Sequence, residues 1–216
     1  MSRIRQAVLA GLAAAAAVGL VAAIGSLLPG KADAAGGTTD PMQLRPVSDF
    51  ANIRDKQARA IALFEEAAKV ITSPRCMNCH PVGDRPTQTD AMRPHQPLVM
   101  RGEHGLGPPG GLACTTCHHQ ANFDPARVPG NPKWALAPLE MAWQGKTLGQ
   151  ICVQIKDRSR NGDKDMAGLV HHMAEDELVG WGWHPGAGLT PAPGTQKQFG
   201  ELIKAWAEAG AACPKG

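Results

Sequence analysis

Two Cys-x-x-Cys-His motifs lie close together in the middle of the chain, and they restrict its fold more than any other feature. The first runs from Cys76 to His80 and the second from Cys114 to His118. Only 33 residues separate the motifs, and six of these are prolines. Because proline removes a backbone donor and ends a helix, no helix of useful length fits between them. We therefore expect both motifs to belong to one structural unit rather than to two domains in tandem.

The pattern Cys-x-x-Cys-His is typical of covalent haem attachment. Two thiols at this spacing add to the two vinyl groups of one porphyrin, and the histidine that follows provides the proximal ligand of the iron. We therefore predict two covalently bound haem c groups. Their attachment residues are Cys76, Cys79, Cys114 and Cys117, and their proximal iron ligands are His80 and His118. Cys-x-x-Cys pairs also bind zinc or act as redox-active thiols, but neither kind of site requires the histidine that follows both pairs.

The first 34 residues have the composition and order of a secretory signal peptide. Arg3 and Arg5 precede an apolar stretch from Ala7 to Leu28, and Ala32-Asp33-Ala34 is a small-x-small cleavage site. This predicts export to the periplasm and a mature chain, residues 35–216, that forms a single dihaem domain. The apolar stretch is also about long enough to span a bilayer, so an uncleaved membrane anchor is the alternative.

The charge of the chain gives no indication of a nucleic-acid partner or of binding to an anionic membrane. The whole chain has 22 basic and 19 acidic residues and a formal net charge of +3. Loss of residues 1–34 removes three basic residues and one acidic residue, which leaves a charge of +1. Such a nearly neutral mature chain excludes the strongly basic class of nucleic-acid-binding proteins.

Composition and apolar periodicity predict a mainly α-helical domain with extensive loops and little or no sheet, organised around two close haems. The chain has 25 glycines and 18 prolines but no tyrosine and only four phenylalanines, so porphyrins would supply the large apolar surfaces that such a core lacks. Apolar residues at helical spacing predict one helix over about residues 52–72 and three more after residue 146. The predicted capping residues of these three are Thr147, Asp163 or Asp165, and Thr195.

Each iron needs a sixth ligand unless its site is open for catalysis. His95 lies in a Pro-His-Gln-Pro sequence, and such a rigid loop suits the presentation of an imidazole. His172 flanks the apolar stripe of a predicted helix and is the candidate distal ligand of the other iron. The alternatives at this second iron are His171, Met173 and Met141.

Cys152 and Cys213 are the only cysteines outside the two motifs. Outside the cytoplasm an isolated pair of thiols tends to oxidise. Cys152 falls on the apolar stripe of one predicted helix, and Cys213 lies one heptad beyond the stripe of the last helix. We therefore predict a disulfide that ties the last helix to the earlier one.

These features resemble those of the dihaem c-type cytochromes described as subunits of isoquinoline 1-oxidoreductase. The resemblance covers most of the mature chain and rests on both haem motifs and on Gly83-Asp84-Arg85-Pro86, Arg101-Gly102, Leu136-Ala137-Pro138, Met141-Ala142-Trp143 and Val179-Gly180-Trp181-Gly182-Trp183. It implies a soluble electron carrier associated with a periplasmic molybdenum hydroxylase. The motif spacing and the Pro-rich connection are also similar to those of the small dihaem subunit of periplasmic nitrate reductase. In that family two histidines bind each iron and the haems stack.

The predicted activity is the transfer of single electrons rather than catalysis. A six-coordinate haem has no free position for a substrate, and its potential is set by its axial ligands, its burial and nearby charge. The expected partners are redox proteins, with a dehydrogenase or molybdenum hydroxylase as donor and a cytochrome or oxidase as acceptor. A membrane contact is expected only if residues 1–34 stay attached. The alternative function is a haem enzyme of the peroxidase type with one open iron.

Overall fold

Six α-helices and one two-stranded antiparallel sheet form the regular structure of residues 40–105 and 107–216, the part of the chain that the computed structural model describes. The predicted mainly α-helical class with little sheet is therefore confirmed, whereas the predicted signal peptide or anchor lies outside the described residues. None of the helices in the described part is long and apolar enough to cross a membrane. The elements are α1 (Lys56–Ile71), α2 (Pro74–Met77), β1 (Thr87–Gln88), β2 (Arg93–Pro94), α3 (Leu148–Lys156), α4 (Met166–Glu175), α5 (Glu177–Gly180) and α6 (Gln196–Glu208).

The apolar core lies where α6 packs against α1 and α4. Phe64 of α1 contacts Trp206 of α6 with ring centroids 5.0 Å apart, and neither side chain is exposed to solvent. Gly200 lets α6 approach α4 closely, since a Cβ at this position would lie only 2.5 Å from the Cβ of Ala174. These contacts bring α1, α4 and α6 together into the wall behind the first haem motif.

Capping side chains determine where the longer helices begin. Thr147 and Thr195 form capping boxes with the glutamine three residues later and start α3 and α6, as predicted. Asp165 caps α4, which resolves the choice between the two aspartates near this helix. Helix α1 begins at Lys56 rather than near residue 52, because the side chain of Asp55 accepts a hydrogen bond from the first turn and fixes the start there.

A disulfide joins α3 to the C-terminal tail. Cys152 and Cys213 are bonded, with their Cα atoms 5.6 Å apart, so the predicted pairing is present. The predicted position of Cys213 on a continuation of the last helix is wrong. Helix α6 ends at Glu208, and Gly210 adopts a φ of 97°, which turns the chain back toward α3. The disulfide therefore ties the tail, rather than the helix itself, to the core.

Replacement of Cys152 and Cys213 by serine is expected to lower the free energy of unfolding of the protein. The two cysteines are 61 residues apart in sequence, and the chain-entropy model gives about 4 kcal/mol for closing a loop of that size. Urea denaturation of wild-type protein and variant, with and without a thiol reductant, measures this difference. Reduced wild-type protein should match the variant, whose own stability should not respond to the reductant; an equal response of both would contradict the assignment.

The connection between the haem motifs contains almost no apolar core of its own. Its regular structure consists of the antiparallel pair β1 and β2 and one helical turn at Glu103–Gly105. Among the described residues from 72 to 140, none belongs to the buried apolar cluster, which passes in sequence from Ile71 directly to Met141. The absence of a long helix in this segment agrees with its proline content.

Candidate haem-binding cavities

Both Cys-x-x-Cys-His motifs form a single helical turn that ends at the histidine. In the first motif the N–H of Cys79 donates to the carbonyl of Cys76 at 3.0 Å. In the second motif Cys117 donates to Cys114 in the same way at 3.3 Å. Residues three apart on a helix lie on the same face, so each turn presents its two thiols side by side. None of these four cysteines is in a disulfide.

A cavity of about 290 Å³, which we name cavity A, lies in front of the first motif. Its lining contains Cys76, Cys79 and His80 from the motif and His172 from α4. Most of the remaining wall is apolar. Helices α1, α4 and α6 supply part of it, for example Ile71, and the segments 135–143 and 178–182 supply more. One motif and one predicted distal histidine therefore line the same cavity.

A second cavity of about 390 Å³, which we name cavity B, lies in front of the second motif. Its lining contains Cys114, Cys117 and His118 together with His95, the other predicted distal ligand. Most of its wall comes from the loops between the motifs and just after them. The volumes of both cavities are close to or within the range of small-molecule and cofactor sites, which is about 300–1,000 Å³.

Cavities A and B share part of their walls. Cys79 belongs to the first motif but lines both cavities. The pKa of this thiol is raised to about 11, mainly by burial; the charge of Arg75 opposes the rise, and the nearby Cys114 of the second motif contributes to it. The two motifs are therefore neighbours in space as well as in sequence. The residues that line both cavities are Arg75, Cys79, Ala135, Leu136 and Trp181.

His80 is held in place by the segment that follows the second motif. Its Nδ1 lies 2.6 Å from the carbonyl oxygen of Met141, and its ring stacks on Trp143 with centroids 3.5 Å apart and planes 5° apart. Because a carbonyl only accepts hydrogen bonds, Nδ1 carries the proton and Nε2 is left with a free lone pair, the form that binds a metal. Burial lowers the pKa of His80 to about 4, so the imidazole is neutral near pH 7.

His118 has the same two supports as His80. Its Nδ1 lies 2.7 Å from the carbonyl oxygen of Pro129, and its ring stacks on Trp134 with centroids 4.5 Å apart and planes 17° apart. Burial lowers the pKa of this histidine as well. A carbonyl acceptor and a stacked indole thus fix the tautomer and the orientation of the histidine in both motifs.

His95 faces His118 across cavity B, with ring centroids 6.0 Å apart and ring planes at 64°. Its Nδ1 lies 2.9 Å from the carbonyl oxygen of Pro97, which leaves Nε2 free in this ring too. The backbone N–H of His95 donates to Pro86 at 2.9 Å, and the guanidinium of Arg85 donates to the His95 carbonyl at 2.7 Å. The loop therefore holds the imidazole in one position.

His172 and its neighbour His171 differ in what they face. The side chain of His171 is 70% exposed, and its Nδ1 lies 3.1 Å from a carboxylate oxygen of Glu175 at the surface of α4. His172 lines cavity A, where burial lowers its pKa and its charge helps to lower the pKa of His80. The carboxylate of Asp176 lies 3.7 Å from Nδ1 of His172, on the side away from Nε2. The structure thus favours His172 over His171 as the residue that faces the first motif.

The two methionine alternatives, Met141 and Met173, are both buried and both line cavity A. The carbonyl of Met141 supports the Nδ1 atom of His80, so its backbone lies on the proximal side of that ring. Met173 belongs to α4 and follows His172 directly. It remains the geometric alternative to His172 in this cavity.

The residues around both cavities fit haem groups. An imidazole nitrogen lies about 2 Å from a first-row metal ion, so two rings on opposite sides of one ion have centroids about 6 Å apart. The 6.0 Å between His95 and His118 equals this separation. At the wall common to both cavities, the buried Arg75 has an Nε without a hydrogen-bond partner, as expected where a porphyrin carboxylate is received.

Several residues that support the site are not identifiable from the sequence. The carbonyls of Met141 and Pro129 carry no side-chain signal, and only the folded backbone brings them to the histidines. Trp134 and Trp143 are recognisable as packing residues, but their histidine partners lie in distant parts of the chain. Nothing in the sequence around Arg75, which directly precedes the first motif, indicates that its side chain is buried.

Known proteins give no independent assignment of these cavities. No family model, no curated protein and no solved structure matches the chain. Within residues 40–105 and 107–216, no group of three or more His, Cys, Asp or Glu side chains is placed to hold a metal ion by itself. The motif residues instead line two cavities, each of which also contains one histidine from outside the motifs.

Proposed function

We propose that the protein is a periplasmic dihaem c-type cytochrome that transfers single electrons between a dehydrogenase and a downstream acceptor. One observation carries the proposal. His95 and His118 face each other 6.0 Å apart, and each has its Nδ1 beside a backbone carbonyl. Two imidazoles in this arrangement suit the two axial positions of one iron. A haem with both axial positions filled supplies one-electron oxidation and reduction.

Cavity A supports the same assignment for the other haem. His80 is partly buried, with its pKa lowered by burial to about 4, and His172 lines the same cavity, so these two imidazoles are the proposed axial pair. Cys76 and Cys79 are the proposed attachment thiols here, as Cys114 and Cys117 are in cavity B.

The common wall of the cavities supports a close pair of haems within one small domain. Cys117 is exposed, whereas the other three motif cysteines are partly buried, so the second motif is more accessible to solvent than the first. We infer that redox partners approach at cavity B and that cavity A is the inner site. The proposed donor, a dehydrogenase of the molybdenum hydroxylase class, and the proposed acceptor, a cytochrome or oxidase, rest on the resemblance alone. The disulfide is typical of an oxidising compartment and supports export.

The proposal is tested by producing the full-length chain in a host that exports it and attaches c-type haem. We expect a mass equal to the mature chain plus two haems, colour that survives acid-acetone extraction, two low-spin irons and uptake of two electrons per chain. The matched variant with Cys76→Ala and Cys79→Ala should carry one haem. A high-spin iron that turns over peroxide would favour the enzyme alternative, and a colourless zinc protein would reject both.

A further inference from the structure

Arg75 lies at the wall common to cavities A and B. It directly precedes Cys76, and its side chain is only 1% exposed. Among the described residues, Arg75 and Trp181 are the only polar or aromatic non-cysteine side chains that line both cavities, and the guanidinium lies 5.9 Å from the centroid of the indole. A permanent positive charge is therefore buried between the two sites.

A carboxylate holds one side of this guanidinium. Nη2 of Arg75 donates to Oδ1 of Asp90 at 2.6 Å. Asp90 in turn accepts hydrogen bonds from the backbone N–H of Thr190 at 3.1 Å and from its hydroxyl at 2.6 Å. Three segments that are distant in sequence thus fix the position of the arginine.

The other side of the guanidinium is left without a partner. Nε of Arg75 is buried and makes no hydrogen bond. A buried donor without a partner is costly, more so when it is charged, and native proteins seldom keep one. Asp90 does not fully compensate the charge, because its side chain is 42% exposed and partly screened by solvent. The orphaned Nε therefore points to an anionic acceptor that enters with the ligand of the cavities.

We propose that Arg75 is a positioning residue shared by both haem sites, which donates through Nε to a porphyrin carboxylate and raises the reduction potential of the bound haems. This inference rests on the proposed function and deepens it. A ferric haem carries one more positive charge than a ferrous haem. A fixed cation beside it therefore disfavours the oxidised form, and a fixed anion has the opposite effect.

Because Arg75 and Asp90 carry opposite charges, removing each charge should shift the midpoint potentials of the haems in opposite directions, which tests the proposal. Arg75→Gln removes the cation and is expected to shift the midpoint potentials downward. Asp90→Asn removes the anion and is expected to shift them upward. Arg75→Lys keeps the charge and is expected to stay nearer to the wild type than Arg75→Gln does. The readout is a redox titration of each purified holoprotein followed by its optical spectrum.

A purely structural role would produce a different pattern. If breaking the ion pair merely loosened the site, both variants would admit water and shift the potentials in the same direction. That outcome, or unchanged potentials in Arg75→Gln, overturns the proposal. The control is Arg45→Gln, since Arg45 forms an exposed ion pair away from both cavities and should leave the potentials unchanged.

The variants also separate this inference from the proposed function. Wild-type protein without covalent haem would reject the function itself, whereas a dihaem protein with an Arg75→Gln potential like the wild type rejects only the role of Arg75. If Arg75→Gln does not retain both haems, the direction in which Asp90→Asn shifts the midpoint potentials tests the role of Arg75 instead. An upward shift supports the proposal, and a downward or absent shift overturns it.

Discussion

His95→Ala is expected to convert one of the two haems from low spin to high spin, and His172→Ala to convert the other. Each substitution removes the imidazole that faces a proximal histidine across a cavity, at 6.0 Å from His118 in cavity B. Alanine has no group that binds iron, so the sixth position opens. Optical and electron paramagnetic resonance spectra of the oxidised proteins should show loss of about half of the low-spin signal in each variant and of nearly all of it in the double variant.

His171→Ala is the matched control for His172→Ala. His171 is the adjacent residue on α4 but lies at the surface, where it pairs with Glu175 at 3.1 Å. Its loss should leave both haems low-spin. Added imidazole should restore the low-spin spectra of the two ligand variants, which distinguishes loss of a ligand from misfolding.

The axial assignment has a defined way to fail at each iron. A wild-type spectrum for His95→Ala would contradict the ligation proposed in cavity B. A wild-type spectrum for His172→Ala would instead transfer the role to the neighbouring Met173, and Met173→Leu should then alter the potential of that haem. Methionine ligation raises a haem potential relative to two histidines, so the two assignments also differ in the redox titration.

The helical elements were predictable from local signals. The capping boxes at Thr147 and Thr195 and the apolar stripe of α6 depend on residues three or four apart, and they appear in the structure where the sequence places them. The start of α1 was predicted about four residues too early, because periodicity alone does not show that Asp55 accepts from the first turn. The pairing of Cys152 with Cys213 was predictable from counting cysteines. The turn at Gly210, which brings Cys213 to Cys152, was not predicted.

The candidate site was predictable in its residues but not in its arrangement. The motif pattern predicts the attachment thiols and proximal histidines, and the rigid Pro-His-Gln-Pro sequence predicts His95 as a distal ligand; these assignments stay predictions. Which distal histidine faces which motif depends on tertiary contacts, such as the guanidinium of Arg85 on the carbonyl of His95. The burial of Arg75 between the cavities likewise depends on Asp90 and Thr190, which are distant from each other in sequence.

The two cavities differ in what surrounds them, and this difference predicts unequal roles of the two haems in stability. Cavity A is lined in part by members of the apolar core from α1, α4 and α6, which are Ile71, Leu169, Met173 and Phe199. Cavity B is lined mainly by loops that lie between residues 72 and 140. None of the described residues in that segment belongs to the buried apolar core. A haem bound in cavity B, as proposed, would therefore be a large apolar body that holds these loops together.

Cys114→Ser combined with Cys117→Ser is expected to open the segment over residues 81–135 while the helices stay folded. Loss of about 1.4 kcal/mol of local stability corresponds to a tenfold increase in opening, so hydrogen exchange and limited proteolysis of this segment should accelerate at least tenfold. The matched variant, Cys76→Ser with Cys79→Ser, should instead accelerate exchange in α1, α4 and α6, because it empties the cavity beside the core. If both variants affected the helices equally, the loops around cavity B would not depend on their own haem.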